Sequence, residues 1–115
     1  MKQLNKALFI LTAFASATAF AASIPGEIYQ PQGQLIKSEN KGNEFEIEYH
    51  VKGTDVKSLA EKATAHAKSN GFRVAKSDIR TREADLKFVR DNQELDIDIE
   101  LERDYIEYKA DLDNK

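Results

Sequence analysis

A chain of 115 residues with 17 basic and 20 acidic side chains, no cysteine and no tryptophan has room for one small domain and not for two. Without cysteine there is no disulfide framework, no thiol redox centre, no covalent haem attachment and no lipid on an N-terminal cysteine. The acidic balance argues against nucleic acid and anionic membrane surfaces as partners, since both select basic patches.

Residues 1–21 read as a secretory signal peptide. Lys2 and Lys6 supply a positive start, Ala7 to Phe14 an apolar stretch, and Ala19-Phe20-Ala21 a small-x-small cleavage site. The stretch falls short of the roughly 20 apolar residues that a spanning helix needs, so no stable membrane insertion is expected once the signal is removed. Cleavage after Ala21 takes away two lysines and no acid, moving the formal net charge from −3 to −5. The style of the signal implies a soluble protein of the bacterial periplasm, or of the medium.

Residues 22–34 form an extended lead-in. The stretch from Ile24 to Gln34 holds both prolines, Pro25 and Pro31, together with Gly26 and Gly33, a composition that breaks regular structure. It either packs along the domain or stays free for a partner, with Tyr29 as its candidate contact. The domain proper is residues 35–115.

Leu35 to Ser38 reads as a short strand, and Asn40-Lys41-Gly42-Asn43 as a turn. Phe45, Ile47, Tyr49 and Val51 then alternate with Glu44, Glu46, Glu48, His50 and Lys52. That period of two predicts a strand with one buried face. Gly53 breaks it, and Thr54 or Asp55 can cap a following helix. Val56, Leu59, Ala60, Ala63 and Ala67 fall on one narrow stripe of that helix. Asn70-Gly71 ends it, with Gly71 suited to the left-handed C′ position and Phe72 to the hydrophobic contact that follows. A stripe made mostly of alanine requires a broad, flat neighbour.

The rest of the chain predicts that neighbour. Phe72 and Val74 begin a strand, but Ile79 and Thr81 are out of phase with them, which predicts a bulge or bend near Ala75 to Ser77. Ala84, Leu86 and Phe88 share a phase, as do Leu95, Ile97, Ile99 and Leu101, and again Ile106, Tyr108, Ala110 and Leu112. Asp91-Asn92 and Arg103-Asp104 lie between these runs as two-residue turns. Such turns place Phe88 opposite Leu95, Leu86 opposite Ile97, Ile99 opposite Tyr108 and Leu101 opposite Ile106. Every pair is apolar with apolar, whereas a slip of one residue would turn each side chain toward water. The fold expected is α+β: a single helix packed on one face of a mostly antiparallel sheet of four to six strands, in the order β(β)αβββ(β).

The same register sets carboxylates against one another on the other face. Glu83, Glu100 and Glu107 form one row, Asp85, Asp98 and Lys109 the next, and Lys87, Asp96 and Asp111 a third. Opposed like charges destabilise a strand pair by up to about 1 kcal/mol, and the two lysines do not balance them. Arg73, Lys76, Arg80 and Arg82 are close enough in sequence to fold over the row. Such a face can be a solvated surface that keeps edges apart, a docking surface that steers a basic protein partner, or a divalent-cation site. The last is disfavoured, since Ca²⁺ needs six to eight converging oxygens and no D-x-D-x-D-G loop occurs. The candidate partner-binding residues are Glu83, Asp85, Asp98, Glu100, Glu107 and Tyr105, the last an outward aromatic beside the acidic row.

Catalytic chemistry finds no foothold. His50 and His66 have no metal-pair spacing; His50 beside Glu48 is either a pH-sensitive pair or a plain surface histidine. There is no G-x-S-x-G nucleophile and no glycine-rich phosphate loop. No metal, cofactor or catalytic residue is therefore expected. The layout of residues 55 to 113, one helix followed by a curled antiparallel sheet, resembles the cystatin-like group and PepSY modules, several of which restrain proteases. That resemblance implies an inhibitory role, but the Q-x-V-x-G and D-A-x-T-G patterns of those groups are absent, so no residue is carried over. The function expected is an exported, non-catalytic binding or inhibitory module for an envelope protein with a basic surface. The alternative is a periplasmic small-molecule or divalent-ion binder.

Overall fold

The computed structural model describes residues 24–115; the expected signal peptide and its cleavage site lie outside the described residues. Six strands and one helix follow in the order ββαββββ: β1 (Gln34–Asn40), β2 (Glu44–Val51), α1 (Val56–Ser69), β3 (Arg73–Ile79), β4 (Glu83–Arg90), β5 (Gln93–Leu101) and β6 (Ile106–Asn114). All pairings are antiparallel and the spatial order is β1-β2-β6-β5-β4-β3. The fold is thus α+β, one helix on an open antiparallel sheet.

The register follows from the alternation of side chains. Leu86 faces Ile97, Phe88 faces Leu95, Ile99 faces Tyr108 and Leu101 faces Ile106. Asp91, at φ 50, begins the β4–β5 turn in a left-handed conformation that a short polar side chain tolerates. In β3 the register shifts between Val74 and Lys76. That bulge reconciles the phase of Val74 with that of Ile79, as the sequence pattern requires. A second shift, between Leu35 and Lys37 of β1, has no comparable signature in the sequence. Both bulges lie on the outermost strands, where they interrupt an edge that could otherwise pair with another chain.

The helix begins where Asp55 accepts a hydrogen bond from the Ser58 amide at 2.9 Å. It ends in a Schellman motif: the Phe72 amide donates to the Ala67 carbonyl at 3.1 Å and the Gly71 amide to Lys68 at 3.0 Å, with Gly71 at φ 88. Ala60, Ala63 and Ala67 are fully buried, so the backbone of α1 approaches the sheet closely. It lies over β3, β4 and β5.

The rest of the apolar face is covered by the lead-in. Ile24 and Ile28 are buried, Ile28 at 1 % exposure. Tyr29 stands between sheet and helix, with ring centroids 6.4 Å from Tyr108 and 5.8 Å from His66. The wholly buried Tyr108 donates its hydroxyl proton to the Tyr29 carbonyl at 2.9 Å, and Tyr49 donates to Gln30 Oε1 at 3.2 Å. His66 Nε2 lies 2.7 Å from the Gly26 carbonyl, a contact in which the imidazole must be the donor. At Gly33 a β-carbon would come within 2.5 Å of the His50 carbonyl, so only glycine lets the segment pass so near β2. Of the two fates open to these residues, they take the packed one.

Arg90 fastens three elements together. Its guanidinium stacks 4.5 Å over the Phe72 ring, pairs with Glu27 of the lead-in at 2.9 Å, and donates to the Asn70 carbonyl and the Gln93 side chain. Nothing local in the sequence marks this role. If the lead-in belongs to the folded core, Ile28→Ala should lower the unfolding free energy by about 2–5 kcal/mol. Ile36→Ala, at an exposed position of β1, should change it by no more than about 0.5 kcal/mol. Urea denaturation of both variants measures this, and equal effects would contradict the packing described.

Candidate functional site

Because successive residues of a strand point to opposite faces, burying the apolar set against α1 and the lead-in forces the intervening residues onto the outer face. Glu83 pairs with Glu100, and Glu100 with Glu107. Asp85 is opposite Asp98, and Asp98 opposite Lys109. These five carboxylates line one hollow of about 340 Å³ together with Asp78, Arg80 and Lys109. Tyr105 is half-buried in the β5–β6 loop, where its ring stacks on His50 with centroids 4.2 Å apart. The row therefore reads Glu83, Glu100, Glu107, His50 across four strands, with Tyr105 at the His50 end.

The balance of charge differs from the two-lysine expectation. Lys76 of β3 pairs with Asp85 at 2.7 Å, Lys37 and Lys41 reach Glu46 at 3.1 and 3.3 Å, and Lys115 reaches Glu94 at 2.9 Å. Arg80 pairs with Asp78 at 3.3 Å, so it lines the hollow beside the Glu83 row without an ion pair to it. Lys76 folds onto the acidic face as its place in the sequence allows, whereas Lys37, Lys41 and Lys115 come from β1, the turn after it and the C-terminus, which lie outside the rows counted from the sequence. They compensate one end and the edges. Among the described residues, Glu83, Asp98 and Glu100 make no ion pair, and Glu107 has Lys109 at 3.6 Å.

Burial, with crowding of like charges behind it, shows in the proton affinities. Asp111 sits between Glu46 on one neighbouring strand and Asp96 on the other, and its Oδ1 is buried without a hydrogen-bond partner among the described residues. Burial, then the neighbouring Glu44 carboxyl, pushes its carboxyl up to about 7. Burial and the adjacent Glu94 push Asp96 up to about 6, while Lys115 holds Glu94 down to about 2. Asp98 and Glu107 are raised as well, each mainly by burial.

Three groups of ligand-type atoms come within 4.8 Å of one another: Glu48, His50 and Glu107; Glu44, Glu46 and Asp111; and Glu100, Glu102 and Glu107. The expectation of no metal spacing considered histidine pairs along the chain. Glu107 joins His50 only because β6 pairs with β2, a neighbour relation between strands more than fifty residues apart.

The helix side carries a separate groove. About 850 Å³ open between α1, the lead-in and the end of β2. Tyr29, Pro31, Val51, Leu59 and Ile106 line it along with Lys52, Lys62 and His66. It flanks the alanine stripe and does not separate the helix from the sheet. No described helix is long and apolar enough to cross a membrane. The chain matches no family model, no curated protein and no solved structure.

The raised carboxyls fix a pH dependence. Asp96 and Asp111 bind protons more tightly folded than unfolded, so their contribution to stability is complete below about pH 4 and is lost as the pH rises through 6 and 7. Glu94 acts in the opposite sense: its contribution is present above about pH 4.5 and is lost as the pH falls through 2. Thermal melts should therefore give a higher Tm at pH 5 than at pH 8. Asp111→Asn should raise the Tm at pH 8 and narrow that difference; a variant with the same pH profile as the wild type would contradict the assignment.

Proposed function

We propose that this protein is a non-catalytic binding module that uses its acid-rich sheet face to hold a basic partner protein in the cell envelope. The observation that carries this reading is the row Glu83, Glu100, Glu107, in which directly opposed carboxylates occupy three consecutive strands. An arrangement of that kind costs up to about 1 kcal/mol per opposed pair. Cross-strand lysines at the same positions would remove the cost, as they do elsewhere on this sheet. Lysine or arginine side chains of a docked partner would relieve it too, and the surrounding potential would speed their encounter.

The adjoining trough extends the same surface. It measures about 630 Å³ and runs from Lys37 of β1 past Lys109 to Lys76 of β3, with Glu48, Asp85 and Asp98 between them. Mixed charges there favour a partner with a basic centre and polar flanks. Envelope localisation follows from the signal-type N-terminus, and a restraining role toward an enzyme is one form such binding takes.

A variant with Glu83, Asp98, Glu100 and Glu107 changed to glutamine or asparagine should keep the fold, since none of these residues contributes to the core. It should lose capture of a partner that wild-type protein retains from envelope extract at low salt, and wild-type capture should weaken as salt screens the charges. Equal recovery of the same partner by the variant would overturn the acidic-face reading.

One observation favours a second reading. The groove beside α1 has an apolar floor and the cationic side chains Lys52 and Lys62 at its rim, which suits a small anionic amphiphile. A ligand of the folded state raises the melting temperature, so a fatty acid series should do so if this groove is used, and Leu59→Ala should abolish the rise.

A further inference from the structure

Glu48 and His50 are two apart on β2 and therefore share the outer face, and the antiparallel register sets Glu107 of β6 directly opposite His50. One imidazole nitrogen and two carboxylate oxygens thus meet within 4.8 Å of one another. We propose that Glu48, His50 and Glu107 bind a divalent transition-metal ion of the Zn²⁺ or Cu²⁺ class at this point of the sheet.

The spacing suits such an ion. Donors bound at about 2.1 Å in a tetrahedral arrangement stand about 3.4 Å apart, and His50 Nε2 lies 3.4 Å from Glu48 Oε2. Glu107 offers a carboxylate oxygen within 4.8 Å of the ligand atoms of both Glu48 and His50. A dication seated among the three can take one oxygen from each carboxylate together with the imidazole nitrogen. The imidazole is held in advance, because its ring lies against Tyr105 at 4.2 Å with 30° between the planes; a ligand that is already oriented loses little freedom on binding.

The donor set also selects the class of ion. Ca²⁺ and Mg²⁺ take oxygen ligands, Ca²⁺ six to eight of them, whereas an imidazole with two carboxylates suits Zn²⁺ and Cu²⁺ and leaves a position for water. The charge around the site agrees: Glu100 and Glu102 lie beside Glu107, and the nearest compensating cation among the described residues is Lys109 at 3.6 Å. The all-oxygen group Glu44, Glu46 and Asp111 is a built-in contrast. It has no nitrogen donor, and Glu46 is already paired with Lys37 and Lys41 at 3.1 and 3.3 Å.

Calorimetric titration of the purified protein with ZnCl₂ and with CuCl₂, in buffer without chelators, tests the site. One saturable equivalent is expected for each ion. The chain has four tyrosines and no tryptophan, so Cu²⁺ bound at His50 should quench part of the tyrosine emission through the adjacent Tyr105. His50→Gln should weaken binding by at least about 10-fold and remove the quenching, and Glu107→Gln should weaken it measurably. His66→Gln and the pair Glu44→Gln, Glu46→Gln should bind as the wild type does. Unchanged affinity in His50→Gln, loss of binding in either control, or no saturation by either ion below about 1 mM would each overturn the proposal. Far-UV circular dichroism of every variant confirms that the fold is retained.

Discussion

A single helix is too narrow for a six-stranded sheet. Six strands about 4.8 Å apart span about 24 Å, and a helix with its side chains covers about 10 Å of that width. The helix here lies over β3, β4 and β5, which leaves the apolar side chains of β6 and β2 in need of another cover. Residues 24–33 supply it through Ile24, Ile28 and Tyr29. The two polar hydroxyls buried beneath them, on Tyr49 and Tyr108, find acceptors in the same segment. An unpaired hydroxyl in that position would cost a substantial part of the stability of so small a domain. Arg90 then joins this cover to the end of the helix and to the β4–β5 hairpin.

Gathering all apolar matter on one side determines the character of the other. Every residue between two buried positions of a strand is pushed outward, and in this chain most of those residues are acids. Their mutual repulsion is relieved unevenly: the two edge strands and the C-terminus lend lysines to one end, while the row from Glu83 to Glu107 receives little. Burial, with like-charged neighbours behind it, raises proton affinity at Asp96, Asp98, Glu107 and Asp111. Protons, metal ions and the basic side chains of a partner all relieve the same repulsion. The proposed roles of this surface are therefore linked by one electrostatic cause, and occupancy by any one of them shifts the others.

Sequence alone determined the pieces governed by neighbours along the chain. The period-2 runs of β2, β4, β5 and β6, a helix cap at Thr54 or Asp55, the Gly71-Phe72 stop, the irregularity after Val74 and the pairing across both two-residue turns depend on contacts a few residues apart, and each was legible in residue type and spacing. The membership of the outer face, with Glu83, Asp85, Asp98, Glu100 and Glu107 on it, followed from that register. Only the tertiary structure decided which strand lies beside β2. That choice joined Glu107 to His50, set the β1–β2 hairpin with Lys37 and Lys41 beside the acidic strands and laid the lead-in across Tyr108. The reason is physical: a hairpin is specified by its turn and its alternation, whereas the meeting of β2 with β6 depends on how the whole apolar layer closes, a sum of many weak contacts that no short stretch of sequence contains.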